Sequence, residues 1–145
     1  MEIAEVKLKY HPKRSELMVT NSIEAANIAF EHVFDEDTIG HKESFYVILT
    51  DQGSHVLGFS EIAVGGVSRL YVDIRILMQT VLLSNASGIV VVHNHPSGTM
   101  IPSKEDDDTT RRIKDACSIF GVRMMDHIIV TPYRRYYSYA DMGLC

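Results

Sequence analysis

Residues 89–98 read Ile89-Val90-Val91-Val92-His93-Asn94-His95-Pro96-Ser97-Gly98. The four β-branched apolar residues have no polar alternation, which predicts a strand buried on both faces. Two histidines then follow at i and i+2, and side chains so spaced on a strand share a face. Pro96, Ser97 and Gly98 predict that the strand ends in a turn. A buried strand that ends in paired imidazoles implies a sheet covered on both sides, with chemistry at its carboxyl end.

Working outward, Pro102-Ser103-Lys104-Glu105-Asp106 has the pattern of a helix start, with Ser103 as N-cap and an acid three residues on. That helix carries Ile113, Ala116, Cys117 and Phe120 on one face and stops near Gly121. Upstream, Phe45 to Leu49 predicts a second buried strand. Val56 to Val64 predicts a third, closed by Gly65-Gly66, and Ile74 to Leu82 a helix ending between Asn85 and Gly88. Asn21 and Ser22 offer a cap for an earlier helix through Phe34. Val6, Leu8 and Tyr10 alternate with Lys7 and Lys9, which predicts a half-exposed strand ended by His11-Pro12. Ile128 to Val130 and Tyr136 to Tyr139 predict a closing hairpin. The order β-α-β-β-α-β-α-β-β predicts an α/β (α+β) fold, a mixed sheet with flanking helices in three layers.

The chain has 145 residues, which is the size of one domain. Its apolar share of 46% and charged share of 23% are those of a globular protein and exclude a disordered tail or a coiled coil. A net charge of −5 argues against sequence-independent nucleic-acid binding, although Lys7, Lys9, Lys13 and Arg14, and the Arg134-Arg135 pair, leave room for a local basic patch. Cys117 and Cys145 make no disulfide framework and are expected to be reduced thiols in a cytoplasmic protein. The start of the chain lacks the pattern of a signal peptide, and no apolar run is long enough to cross a bilayer.

The chemistry follows from His93, His95 and Asp106. Two imidazoles on a strand end and a carboxylate in the first turn of the next helix make an N,N,O set. Catalytic zinc commonly takes three protein ligands and leaves a position for water. The helix-cap reading of Ser103 to Asp106 is compatible with this, because a cap at Ser103 turns Asp106 toward the histidines. Asp107 and Asp108 need no role beyond complementing the helix dipole. A hydrolytic centre also needs a proton acceptor. Glu43, before one strand, and Glu61, inside the next, are both candidates on spacing. Asn94 and Ser97 are candidates to support the ligands from behind. His127 and Asp126 are expected to form a structural pair at a strand start. The tyrosines from Tyr133 to Tyr139 are expected on a half-buried hairpin, and Arg69, Asp73 and Arg75 have no assigned role.

His93-x-His95, seven residues, then Ser103-x-x-Asp106 resembles the JAMM (MPN+) metalloprotease motif. Asn85-Ala86-Ser87-Gly88, His93 to Gly98, Pro102-Ser103, Thr110, Asp126 to Val130 and Tyr136 to Asp141 resemble the JAB domain of the RadC family over about residues 20 to 143. The resemblance implies the JAB/MPN fold, related to cytidine deaminases. It implies one Zn2+ per chain held by His93, His95 and Asp106. It favours Glu43 over Glu61 as the base, through the pattern Glu43-Ser44-Phe45, and gives Ser103 the oxyanion. The activity it implies is hydrolysis of a peptide or isopeptide bond in a peptide or protein substrate. The alternative is a nonhydrolytic metal-binding scaffold, linked to the DNA-repair label of the family. Residues 1–145 are expected to be a single such domain, with 1–19 as an N-terminal strand extension and no helix-hairpin-helix region. The loop Gly98 to Pro102 lacks an additional proline often found there, and Thr131 to Arg135 replaces a shorter turn. An iron oxygenase is disfavoured by His95 at the place of its carboxylate, and a deaminase by the lack of Pro-Cys-x-x-Cys.

Overall fold

The computed structural model describes residues 1–10, 13, 15–65 and 70–145. Its centre is the strand that ends in the histidines. Numbered in chain order, the elements are α1 (Ser22–Ile28), β1 (Ser44–Thr50), β2 (Val56–Val64), α2 (Ile74–Leu83), β3 (Gly88–Asn94), α3 (Lys104–Ile119), β4 (Arg123–Val130) and β5 (Tyr136–Ser138). The strands form one sheet in the order β2-β1-β3-β4-β5. Only β3 and β4 run parallel, joined by α3, so the sheet is mixed.

Strand β3 is buried at every residue because it has strands on both edges and helices on both faces. Ile89 and Val91 pack with Leu77, Met78 and Val81 of α2 and with Ile113 and Cys117 of α3. Val90 and Val92 pack on the opposite face, with Ala25, Ala26 and Ile28 of α1. These are the three layers predicted. Each fully buried valine contributes about 1.5–3 kcal/mol of transfer free energy. That rigid frame aims the residues that follow: His93 continues the α3 face and Asn94 the α1 face.

Strand β4 holds a bulge. Ile89 pairs with Met124 but Val90 pairs with Asp126, so Met125 is an extra residue. A bulge of one residue reverses which face each later residue takes. As a result His127 lies opposite Val91, on the face of His93, while Ile128 and Val130 join the α1-side core.

Two sequence expectations differ from the structure. Residues 1–10 form no strand, and Val6 and Leu8 are exposed. Alternation alone makes no strand without a neighbour to pair with. The pairing begins later, where the Val19 N–H donates to the Ser54 carbonyl and the Val56 N–H to the Leu17 carbonyl. Helix α1 is also shorter than predicted. It passes at Ala29–Val33 into a π-helical turn, closed by the Phe34 N–H on the Ala29 carbonyl. His11, Pro12, Arg14, Gly66 and Arg69, each named in the sequence reading, lie outside the described residues. Asp73 is explained: it caps α2, accepting from the N–H groups of Arg75 and Ile76.

Candidate metal centre

The carboxyl end of β3 and the amino end of α3 meet over the α3 face of the sheet. Ser103 caps α3 by accepting from the Asp106 N–H, and the Asp106 carboxylate accepts from the Ser103 N–H in return. This reciprocal cap leaves Asp106 facing the histidines. Nε2 of His93 lies 3.2 Å from Oδ1 of Asp106, Nε2 of His95 lies 3.2 Å from Oδ2, and the two Nε2 atoms are 3.1 Å apart. His93 is buried and stacks on Phe45 at 5.8 Å between ring centres. Burial alone would raise the pKa of Asp106, but the hydrogen bonds to His93 and His95 outweigh it and hold the carboxyl well below its usual range. An anionic Asp106 is what a cation site requires. Burial also opposes charge on His95, yet its hydrogen bonds to Asp106 and the Thr99 carbonyl raise its pKa above the ordinary imidazole value.

Glu43 reaches the same point from the start of β1, its Oε1 4.0 Å from Nε2 of His95. Glu43, His93 and His95 offer ligand atoms within 4.8 Å of one another, so this cluster could hold a metal ion. Asp106 stands closer to both imidazoles than Glu43 does to His95. Glu61 is on the other face, where its carboxylate accepts from the Tyr46 hydroxyl at 3.0 Å. A cleft of about 280 Å³ opens beside the cluster, lined among others by Glu43, Phe45, Val72, His95, Ser103 and Asp106.

Asn94 supports Glu43 rather than the histidines. Its amide nitrogen donates to the carbonyls of Ile39 and Lys42, and its oxygen accepts from the Ser44 N–H. The residues on either side of Glu43 are thus clamped to β3, and the Glu43 carbonyl itself accepts from the Gly65 N–H. Replacing Asn94 with alanine strands buried backbone groups at a cost of about 1–3 kcal/mol. For a chain of this size Asn94→Ala should lower Tm by about 2–12 °C while metal content stays at the wild-type level. Calorimetry beside metal analysis checks this, and loss of metal in step with stability would contradict it. Ser97 makes its hydrogen bond within the turn, accepting from the Thr99 N–H, and not with the histidines.

His127 is the residue that the sequence reading missed. Asp126 engages only its backbone N–H, and otherwise accepts from Ser138 and Ala140 at the end of the chain. The His127 ring points the other way, with Nε2 2.8 Å from Nδ1 of His93 and Nδ1 2.6 Å from the Thr110 hydroxyl. It is fully buried, and burial keeps its pKa well below the usual imidazole value. Tyr139 stacks on it at 4.8 Å with the rings 8° from parallel.

A family model described as the RadC-like JAB domain matches residues 19–144. The chain belongs to the RadC-like JAB domain family. Among curated relatives, a UPF0758 protein of Porphyromonas gingivalis is 32% identical over 142 residues, covering 98% of this chain and 63% of the relative. A UPF0758 protein of Thermotoga maritima is 42% identical over 102 residues, covering 70% of this chain and 46% of the relative. One from Streptococcus sanguinis is 36% identical over 100 residues, covering 69% and 44%. This RadC-like JAB domain therefore spans about half the length of the curated relatives it matches. Its mixed five-stranded sheet with helices on both faces is consistent with the JAB fold. Among the described residues, no helix is long and apolar enough to cross a membrane.

Proposed function

We propose that this domain is a zinc-dependent hydrolase of JAMM type that cuts a peptide or isopeptide bond. One observation carries the reading: the Nε2 atoms of His93 and His95 and the carboxylate of Asp106 converge at 3.1–3.2 Å, with Glu43 just beyond. A tetrahedral ion with ligand bonds of about 2.0–2.1 Å has ligand-to-ligand edges of about 3.3 Å; the two imidazole nitrogens stand near that spacing, each faces one Asp106 oxygen at 3.2 Å, and the N,N,O set suits zinc in chemistry. Bound there, zinc would supply Lewis acidity and lower the pKa of a coordinated water to roughly 7.

The remaining steps belong to side chains of the protein. Glu43 takes the water's proton on a carboxylate oxygen as the C–O bond forms, then passes it to the amine nitrogen as the C–N bond breaks. A positioned base contributes about 10²–10⁴ in rate. The Ser103 hydroxyl accepts from the Asp106 N–H, which leaves its own proton to donate to the carbonyl oxygen as charge builds there. One such donor contributes about 10²–10³. Phe45, Leu70 and Val72 give the cleft an apolar wall suited to an extended peptide, and the net charge of −5 favours a peptide over a nucleic acid as partner. Free Cys117 and Cys145 support a cytoplasmic setting.

The test is a panel of peptides and isopeptide-linked conjugates, incubated with zinc-loaded protein, with protein treated with chelator, and with protein resupplied with zinc. Cleavage that stops on chelation and returns with zinc is the expected result. Cleavage that survives chelation sinks the proposal. Zinc-loaded protein that binds panel members and cuts none favours the nonhydrolytic scaffold.

A further inference from the structure

A neutral imidazole ligates through the nitrogen that carries no proton, so its other nitrogen must hold one. For His95 the backbone arranges this directly. Its Nδ1 lies 3.0 Å from the Thr99 carbonyl, which only accepts, so Nδ1 carries a proton, and Nε2 is the nitrogen left to ligate once an ion takes the place of the proton it shares with Asp106. For His93 the partner is another imidazole, which can either donate or accept.

The direction is decided further along. From Nδ1 of His93 the chain of contacts runs 2.8 Å to Nε2 of His127, then 2.6 Å from Nδ1 of His127 to the Thr110 hydroxyl. From Thr110 it runs 2.7 Å to the carbonyl of Asp106, one helical turn back. With Nε2 of His93 bare, Nδ1 donates to His127. His127 then accepts on Nε2 and donates from Nδ1 to Thr110. Thr110 accepts there and gives its single proton to the Asp106 carbonyl. Each neutral group then makes each of its hydrogen bonds once. The reverse direction takes the hydroxyl proton away from that carbonyl and puts a proton on Nε2 of His93, between the ligand atoms.

We infer that Thr110 and His127 are positioning residues that hold His93 in the tautomer that binds metal, the Asp106 carbonyl being the fixed acceptor that sets the direction. Asp106 thus acts twice, with its carboxylate as a ligand and its carbonyl as the end of the relay. The rings cannot turn out of line: His127 is packed between the stacked ring of Tyr139 and the edge-on ring of Phe45. Metal-bound histidines usually donate to a carboxylate, a carbonyl or water, and loss of such partners lowers affinity about 10–100-fold. This inference rests on the proposed metal site.

The test measures zinc affinity by chelator competition, with no substrate, on the full chain. Thr110→Val keeps the side-chain shape and removes the hydroxyl. Its affinity should fall about 10–100-fold, the melting temperature of the metal-free protein should fall as well because the buried Nδ1 of His127 loses its partner, and Thr110→Ser should recover most of both losses. Nitrogen-15 correlation spectra of zinc-loaded wild type, which need no variant, should show protons on Nδ1 of both His93 and His127. A proton on Nε2 of His127 overturns the relay, as does Thr110→Val binding zinc as tightly as wild type. Wild type that takes up no zinc removes the metal site and the relay together, so the two failures are distinguishable.

Discussion

Glu43→Gln should keep its metal and lose turnover by about 10²–10⁴. Glutamine fills the same space and can still hydrogen-bond, but it cannot take up a proton. The variant also separates two readings of the cluster. Glu43, His93 and His95 could themselves hold an ion. In that arrangement Glu43→Gln would release metal, and Asp106→Asn would not. The distances favour the opposite, since Asp106 lies 3.2 Å from both imidazole nitrogens while Glu43 lies 4.0 Å from the nearer one. Metal analysis of the two variants side by side decides it. Full metal content in Glu43→Gln with undiminished cleavage would remove Glu43 from the chemistry.

Protein carrying both His93→Ala and His95→Ala should fall from about one zinc per chain to none. Zinc should also stop stabilising it. A ligand at 100 times its Kd adds about 2.7 kcal/mol to the native state, or about 5–11 °C in Tm for a chain of this size. The useful quantity is the difference in Tm with and without zinc, because His93 is buried against Phe45 and its loss leaves a cavity whatever the metal does. Wild type should show the shift and the double variant should not. An equal shift in both would mean that zinc binds elsewhere.

Much of this site was legible because its parts are local. The run Ile89 to Val92 predicts a doubly buried strand, and the spacing of His93 and His95 follows from its pleat. The cap at Ser103 was readable from three-residue spacing, and it is the same interaction that turns Asp106 inward. What the sequence could not show is pairing. Glu43 and Glu61 are equivalent until strand register sets Glu61 opposite Tyr46, on the far face. His127 looked tied to Asp126 because they are neighbours in the chain, yet neighbours on a strand point apart. Asn94 lies between two ligands in sequence but serves the loop around Glu43, because alternation sends it through to the other side of the sheet. Val6 and Leu8 alternate as a strand should, and only the absence of a partner among the described residues keeps them from being one.

The surplus residue at Met125 makes tolerance of insertion and deletion very uneven along this chain. Removing one residue from a loop shortens the loop. Removing Met125 from β4 would close the bulge and leave His127 opposite Val91, whereas removing one residue beyond the bulge, such as Ile128, would send every later residue of the strand to the other face. No point substitution could undo that exchange, since every residue downstream moves together. Drift in length is thus open to the turns and to the bulge at Met125, and closed to the strand beyond it, where a single lost codon would exchange the core face for the other.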